Sequence, residues 1–219
     1  MKYELTDETI EVYGRTLHRI KALKDIGTSV KKGDLGGFVE SERNLSQKGN
    51  CWVFNSAVVY DSAMVFGLAE VCGSAMVCGS AKVYDSAMVY DSAMVFGLAE
   101  VYGSAKVYGS AKVYDSAMVY DSAKVFGLAE VYGSAKVYGS AEITKSTDVF
   151  TVTPIGSRND TTTFYKAKGG KIFVKCGCKN TDIDTWLGMV QATHGENKHA
   201  KAYRLAAQIA RLQISGEEE

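Results

Sequence analysis

From residue 53 onward the hydrophobic positions lock to a period of six. Val53, Val59, Val65 and every sixth residue to Val137 are valine, and Ile143 and Val149 continue the register. From Val59 to Ile143 an alanine stands two places before each. An aromatic residue usually follows, then Gly or Asp, then Ser, so the unit reads S-A-x-V-aromatic-G/D. A spacing of six drifts around a 3.6-residue helix, whereas A-x-V-aromatic alternates with period two. The pattern predicts a very short strand, Ala and Val inward, with the Gly/Asp-Ser pair bending the chain at its end. Such a strand needs stacked coils to supply its backbone partners and bury its valine.

These units resemble the hexapeptide repeats of the left-handed parallel β-helix, in which an aliphatic residue and a small residue four places later point into a triangular prism. Val83 and Ala87 are such a pair, and the match spans residues 53–149. The resemblance implies left-handed crossovers, three hexads per 18-residue coil, about five to six coils, and a prism roughly 25 Å tall at the usual strand spacing. A second period overlays the first. DSAMVFGLAEV opens at Asp61 and Asp91 and DSAKVFGLAEV at Asp121, 30 residues apart. Thirty is not a whole number of such coils, so Leu68, Leu98 and Leu128 fall on three different faces, and the similarity reads as recent tandem duplication. One face would carry Val58/Tyr60, Met76/Cys78, Met94/Phe96, Lys112/Tyr114 and Glu130/Tyr132. Its apolar first rungs are expected either to form an aromatic ladder or to serve as a self-association face. Hexapeptide-repeat proteins are commonly trimers, so a homotrimer is the implied assembly.

The expected fold is mainly β: a left-handed parallel β-helix over 52–153, an N-terminal β cap over 1–51 and a small C-terminal ββαα module over 154–219. In the cap, YELT and EVYGRTLHRIKAL read as short strands turning at Tyr13-Gly14-Arg15, with His18 in the second strand. After Pro154 the register ends. TTTFYKA and KIFVKCG, separated by Lys168-Gly169-Gly170, predict a hairpin. A first helix follows, capped by Asp182 or Thr181, with Ile183, Trp186, Leu187 and Val190 on one side. A second runs from about Glu196 to Ile214, with Ala200, Tyr203, Ala207 and Ala210 or Ile214 inward.

Composition narrows the functional classes. The 219 residues carry 25 basic and 25 acidic side chains, 46% apolar residues and five cysteines. No stretch is apolar enough for a membrane span. The N-terminus lacks the order of a signal peptide, and the odd cysteine count fits a reducing compartment, so the cytoplasm is expected. The charge is uneven: residues 1–51 hold nine basic and eight acidic side chains, residues 52–154 six and ten, and residues 155–219 ten and seven. Three of those last acids, Glu217, Glu218 and Glu219, read as a frayed tail, so an anion would meet the C-terminal module. Nucleic acid is a weak fit, because the acidic prism would repel a long duplex.

The repeat contains no histidine; His18, His194 and His199 all lie outside it. The general base of hexapeptide acyltransferases is therefore missing, as is an inserted loop for an acyl carrier. Cys176 and Cys178 have no second pair at zinc spacing, so no metal site and no cofactor are expected. The best candidate binding segment is Gly156-Ser157-Arg158-Asn159-Asp160-Thr161-Thr162-Thr163. Arg158 offers a bidentate contact, and Asn159, Thr161, Thr162 and Thr163 with the turn amides offer donors for a phosphate. Lys171 and Lys175, and Lys198, His194 and His199 at the interhelix turn, would add positive field.

The N-terminal LTDETIEVYGRTLHRIKAL…VKKGDLGGFVESERNLSQKGNCWV, the repeats, and the tail IGSRNDTTTFYKAKGGKIFVKCG…THGENKHAKAYRLA resemble uncharacterised hexapeptide-repeat proteins of bacteriophages and prophages. That resemblance implies a small protein of the host-cell cytoplasm that counters defence. The expected function is non-enzymatic sequestration of an anionic, nucleotide-derived immune signal by an oligomer. The alternatives are a scaffold engaging a host protein and, behind it, an acyltransferase.

Overall fold

The computed structural model describes residues 1–215; the acidic tail Glu217, Glu218 and Glu219 lies outside the described residues. Strands β1 (Tyr3–Val12) and β2 (Arg15–Ala22) form a hairpin through Tyr13 and Gly14, both at positive φ as a two-residue type I′ turn requires. Strand β3 (Leu35–Val39) is followed by sixteen two-residue strands, β4 (Trp52–Val53) to β19 (Glu142–Ile143), one per hexad. Each strand pairs in parallel with the one 18 residues later, as Val83 with Val101 and Val101 with Val119. The result is a three-faced parallel solenoid of about six coils. Face one holds β3, β5, β8, β11, β14 and β17; face two holds β6, β9, β12, β15 and β18; face three holds β4, β7, β10, β13, β16 and β19.

The hexad accounts for each layer of this prism. Every Val from Val59 to Val137 and every Ala from Ala57 to Ala141 is buried along the axis. At the corners the alanine N–H closes a turn on the carbonyl three residues before it, as Ala99 does on Phe96 and Ala75 on Cys72, both at 3.4 Å. The first corner residue sits at positive φ, +71° at Gly97 and +59° at Asp61. A Cβ on Gly97 would stand 2.9 Å from the backbone nitrogen of Asp115 in the next coil, so glycine lets the corners close-pack. At several Asp corners the carboxylate accepts from the glycine one coil on: Asp61 from Gly79 N at 3.1 Å, Asp91 from Gly109 N at 3.0 Å, Asp115 from Gly133 N at 3.1 Å.

On the outside, the aromatics of face two stack as Phe66, Tyr84, Tyr102, Tyr120 and Tyr138, with centroids 4.6–4.9 Å apart. Lys82–Glu100, Lys112–Glu130 and Lys124–Glu142 pair across adjacent coils at 3.0–3.3 Å. Pairs this exposed contribute at most about 1 kcal/mol each. Leu68, Leu98 and Leu128 follow strands of faces two, one and three, so they occupy three different corners, and all are exposed.

The N-terminal segment does more than close an end. Face one continues through β3 into β2 and β1, making an eight-stranded sheet. Leu17 and Phe38 cluster with Val58 and Tyr60, and Ile10, Val12, Met76 and Cys78 pack against that cluster. Of the face read above as an aromatic ladder or a self-association face, the rungs Val58/Tyr60 and Met76/Cys78 therefore lie against the chain's own hairpin, while Phe96 stacks on Tyr114 at 4.9 Å. The prism mouth is sealed by Tyr3, which lies edge-on to Trp52 at 6.2 Å and donates to Leu45 O at 2.7 Å. The prism also starts inside the segment read as the cap, because Phe38–Val39 and Leu45 already pair with Val58–Val59 and Val65.

At the other end Asp148, fully buried, accepts from Thr144 N, Thr144 Oγ1 and Lys145 N at 2.7–3.1 Å and stops the repeat. Val149, in hexad register, leaves the axis. It opens β20 (Val149–Ile155), which joins β21 (Asp160–Lys166), β22 (Ile172–Cys176) and β23 (Lys179–Asp182) in an antiparallel sheet. The module thus has two strands beyond the ββαα reading. One sheet face, with Thr163 and Tyr165, lies on the last coil, where Lys136 N donates to Thr163 Oγ1 at 3.1 Å. The other, with Phe164 and Val174, carries α1 (Ile183–His194) and α2 (Lys198–Ser215) through Trp186 and Tyr203. No helix among the described residues is long and apolar enough to cross a membrane.

Asp182 is the α1 cap, its Oδ1 accepting from Thr185 N at 3.0 Å. Asp182→Ala is expected to cost about 1 kcal/mol and Asp182→Asn much less. The Thr185 N–H holds the carboxyl below the usual carboxylate range. This contribution is thus fully present above an unfolded pKa of about 3.9 and lost as pH falls through the lower folded value. Urea melts at neutral and acid pH should show the wild-type advantage over Asp182→Ala shrinking only in acid.

Candidate functional site

The β20–β21 turn, the β22–β23 turn and one side of α1 enclose a cleft of about 440 Å³ in the C-terminal module. Arg158 and Ser157 line it from the first turn, Cys176 and Lys179 from the second, and Met189 and His194 from α1, with Tyr203 of α2 at its base. Local sequence explains the shape. Cys176 pairs with Lys179, leaving Gly177-Cys178 as a two-residue loop with φ +56° at Gly177, the first central position of a type II′ turn. A Cβ on Gly177 would overlap the Arg158 guanidinium, and one on Gly156 would overlap the Tyr203 hydroxyl. Two glycines thus leave the space that the cleft's Arg and Tyr occupy.

Arg15, Arg19, Arg204 and Arg211 are tied to carboxylates. Arg158 and Lys179 form no ion pair among the described residues, although the Asp160 carboxylate acts on Tyr203 alongside Arg158. The Cys176 thiol and the Tyr203 hydroxyl lie in contact, Sγ to Oη 3.8 Å. Burial, reinforced by the Cys176 contact, pushes the Tyr203 pKa up to about 12, so at neutral pH it is a donor. The His194 ring lies 5.9 Å from those of Tyr203 and His199. An anion entering here would meet a guanidinium, an ammonium and a neutral hydroxyl over the apolar Met189 and Val190.

The structure gathers some of the sequence-derived residues and separates others. Arg158 lines the cleft, and His199 reaches it through His194. Asn159, at φ +49°, and Thr161, whose hydroxyl meets Thr153 Oγ1 at 3.1 Å, shape the turn behind Arg158. Thr162 and Thr163 do not converge with them: both are only 1% exposed, and strand alternation points them to opposite sides of the sheet. Lys171 stands at the far end of β22, five residues from Cys176 and so roughly 15 Å away along the strand. Lys198 is exposed at the start of α2, and Lys175 lies over the Tyr138 ring at 4.8 Å on the solenoid side. Cys176, Lys179, Met189 and Tyr203 were not singled out as ligand-facing. The Gly between two cysteines was the available signal, since a tight turn there aims Lys179 back beside Arg158. Neither a protein-family model nor a curated protein matches this sequence.

Proposed function

We propose that the chain is a non-enzymatic binding protein in which the solenoid is a rigid spacer and the C-terminal cleft captures a small anionic ligand of the nucleotide type. The observation that carries this reading is the unpaired Arg158, seated over Gly177 at the lip of a cleft that also holds Lys179 and the Tyr203 hydroxyl. The resemblance to phage and prophage repeat proteins supplies the biological context: sequestration of a nucleotide-derived defence signal of the host.

A thermal-shift panel of mononucleotides, ADP-ribose derivatives and cyclic dinucleotides tests this. Ligand at 100 times its Kd adds about 2.7 kcal/mol of stability. For a chain of this size that is a shift of roughly 5–10 °C. Arg158→Ala is expected to weaken binding about 10–100-fold, the loss of a charge-assisted contact, with Arg158→Lys intermediate. A panel without any shift, or full affinity in Arg158→Ala, would overturn the reading.

A further inference from the structure

Among the described residues Lys2 is the buried amine: it is 1% exposed and forms no ion pair, although a buried ammonium without a carboxylate is costly. Its Nζ donates to the Cys51 carbonyl at 2.8 Å and stands 3.1 Å from the Cys51 sulfur, itself fully buried. The carbonyls of Ser46, Lys48 and Val65 surround that sulfur at 3.6–3.8 Å. Burial pulls the Lys2 amine below the usual ammonium range, with the Cys51 sulfur opposing the shift and Lys24 adding to it. The share of unprotonated amine, the form with a lone pair to bond, rises accordingly. Amine and thiol are thus enclosed together where the chain enters β1 and the first rung of face three begins. No other cysteine among the described residues is hydrogen-bonded to a lysine.

We propose that Lys2 and Cys51 form an oxidative modification site, at which hydrogen peroxide joins them through a single bridging oxygen, Nζ–O–Sγ. A first peroxide takes the thiol to the sulfenic acid, S–OH, and its second oxygen leaves as water. A second peroxide accepts the two hydrogens lost as the N–O bond forms, one from the amine and one from the sulfenic acid, and leaves as two waters. Sulfur and nitrogen each give up two electrons, and the two peroxides take the four. The spacing selects this product: an N–O–S bridge needs the two atoms only slightly closer than 3.1 Å, whereas a direct S–N bond needs them far closer. The bridge closes a loop between residues 49 apart and fastens the strand whose Tyr3 seals the prism mouth. Excess thiol reverses it, returning amine, thiol and water. Neither residue lines the C-terminal cleft, so the site stands apart from the binding proposal.

Mass spectrometry of the full chain after peroxide treatment tests this. One oxygen gained and two hydrogens lost raise the mass by about 14 Da, distinct from the steps of about 16 Da for a sulfenic acid or a methionine sulfoxide. Trypsin should release residues 1–15 joined to residues 49–82, and dithiothreitol should separate the two peptides. Lys2→Met and, separately, Cys51→Ala should yield no joined peptide. Nor should wild type unfolded in urea, because only the fold holds the pair in register. The linked chain should melt several degrees above the reduced one, since the closed loop restricts the unfolded state. Peroxide that oxidises Cys51 without joining it to Lys2, or leaves both unmodified, overturns the proposal. So does the rise of about 14 Da persisting in Lys2→Met, or linkage to the same extent in urea. A linked chain that melts no higher than the reduced one overturns the fastening of the N-terminal strand.

Discussion

Val101→Asp is expected to yield no folded solenoid. Val101 is completely buried, with Val83 one coil before and Val119 one coil after, and every neighbour on the axis is Val or Ala. A carboxylate there has neither water nor a partner. An unpaired buried charge belongs to the small set of substitutions that cost more than about 4–5 kcal/mol, a large part of the roughly 5–15 kcal/mol of a whole domain. Position makes it worse. A solenoid is held by nearest-neighbour contacts, and a break at the middle leaves two stubs near the minimum of about three repeats that such stacks need. Val101→Ala removes only two methyl groups and should cost about 2 kcal/mol. Soluble yield and far-UV melting distinguish the two; an Asp variant melting within a few degrees of wild type would mean that Val101 does not line the axis.

Excising one whole coil, residues 83–100, is the second large contrast, because little is expected to happen. Lys82 then joins Val101, the S-A-x-V frame is unbroken, and the new neighbours repeat ones already present, such as Gly79 beneath Asp115 in place of Gly97 beneath Asp115. The variant should fold with intact C-terminal helices and a melting temperature lowered by several degrees, the loss of one interface from the stack. Removing only residues 101–103 should instead be ruinous. Half a hexad sets corner glycines under strands, and the rungs beyond lose both their carbonyl partners and their aromatic stacking. Circular dichroism and gel filtration of the pair decide the matter. If both deletions behave alike, the 18-residue coil is not the unit of cooperativity.

The prism was legible because one period controls everything in it: a valine every sixth place sets inside and outside, and Gly or Asp at fixed offset sets the corner. What escaped lies where that period stops. Nothing in YELTDETIEVYGRTLHRI announces that its strands extend face one and cover Tyr60, because an antiparallel edge addition depends on a surface built 40 residues later. Thr162 and Thr163 looked like donors because threonine in a polar run reads as exposed. They are buried because the sheet is covered on both faces, by the last coil and by the helices. Val149 kept its register and still left the axis, since Asp148, with no counterpart in the hexads, captures the amides of Thr144 and Lys145 and turns the chain away. Arg158 was singled out from local chemistry alone, whereas the residues that line the cleft with it, Lys179 and Tyr203, come from a hairpin turn and a helix 20 to 45 residues downstream, a convergence that only tertiary packing creates.

The 30-residue segmental unit has a geometric corollary. One more copy would lengthen the rod by five-thirds of a coil, about 8 Å, and swing everything mounted on its far end through two-thirds of a revolution. Three copies would restore the original bearing at roughly 24 Å greater reach. Gain or loss of this segment would therefore adjust reach and heading together, in discrete steps, with the parts at either tip unaltered.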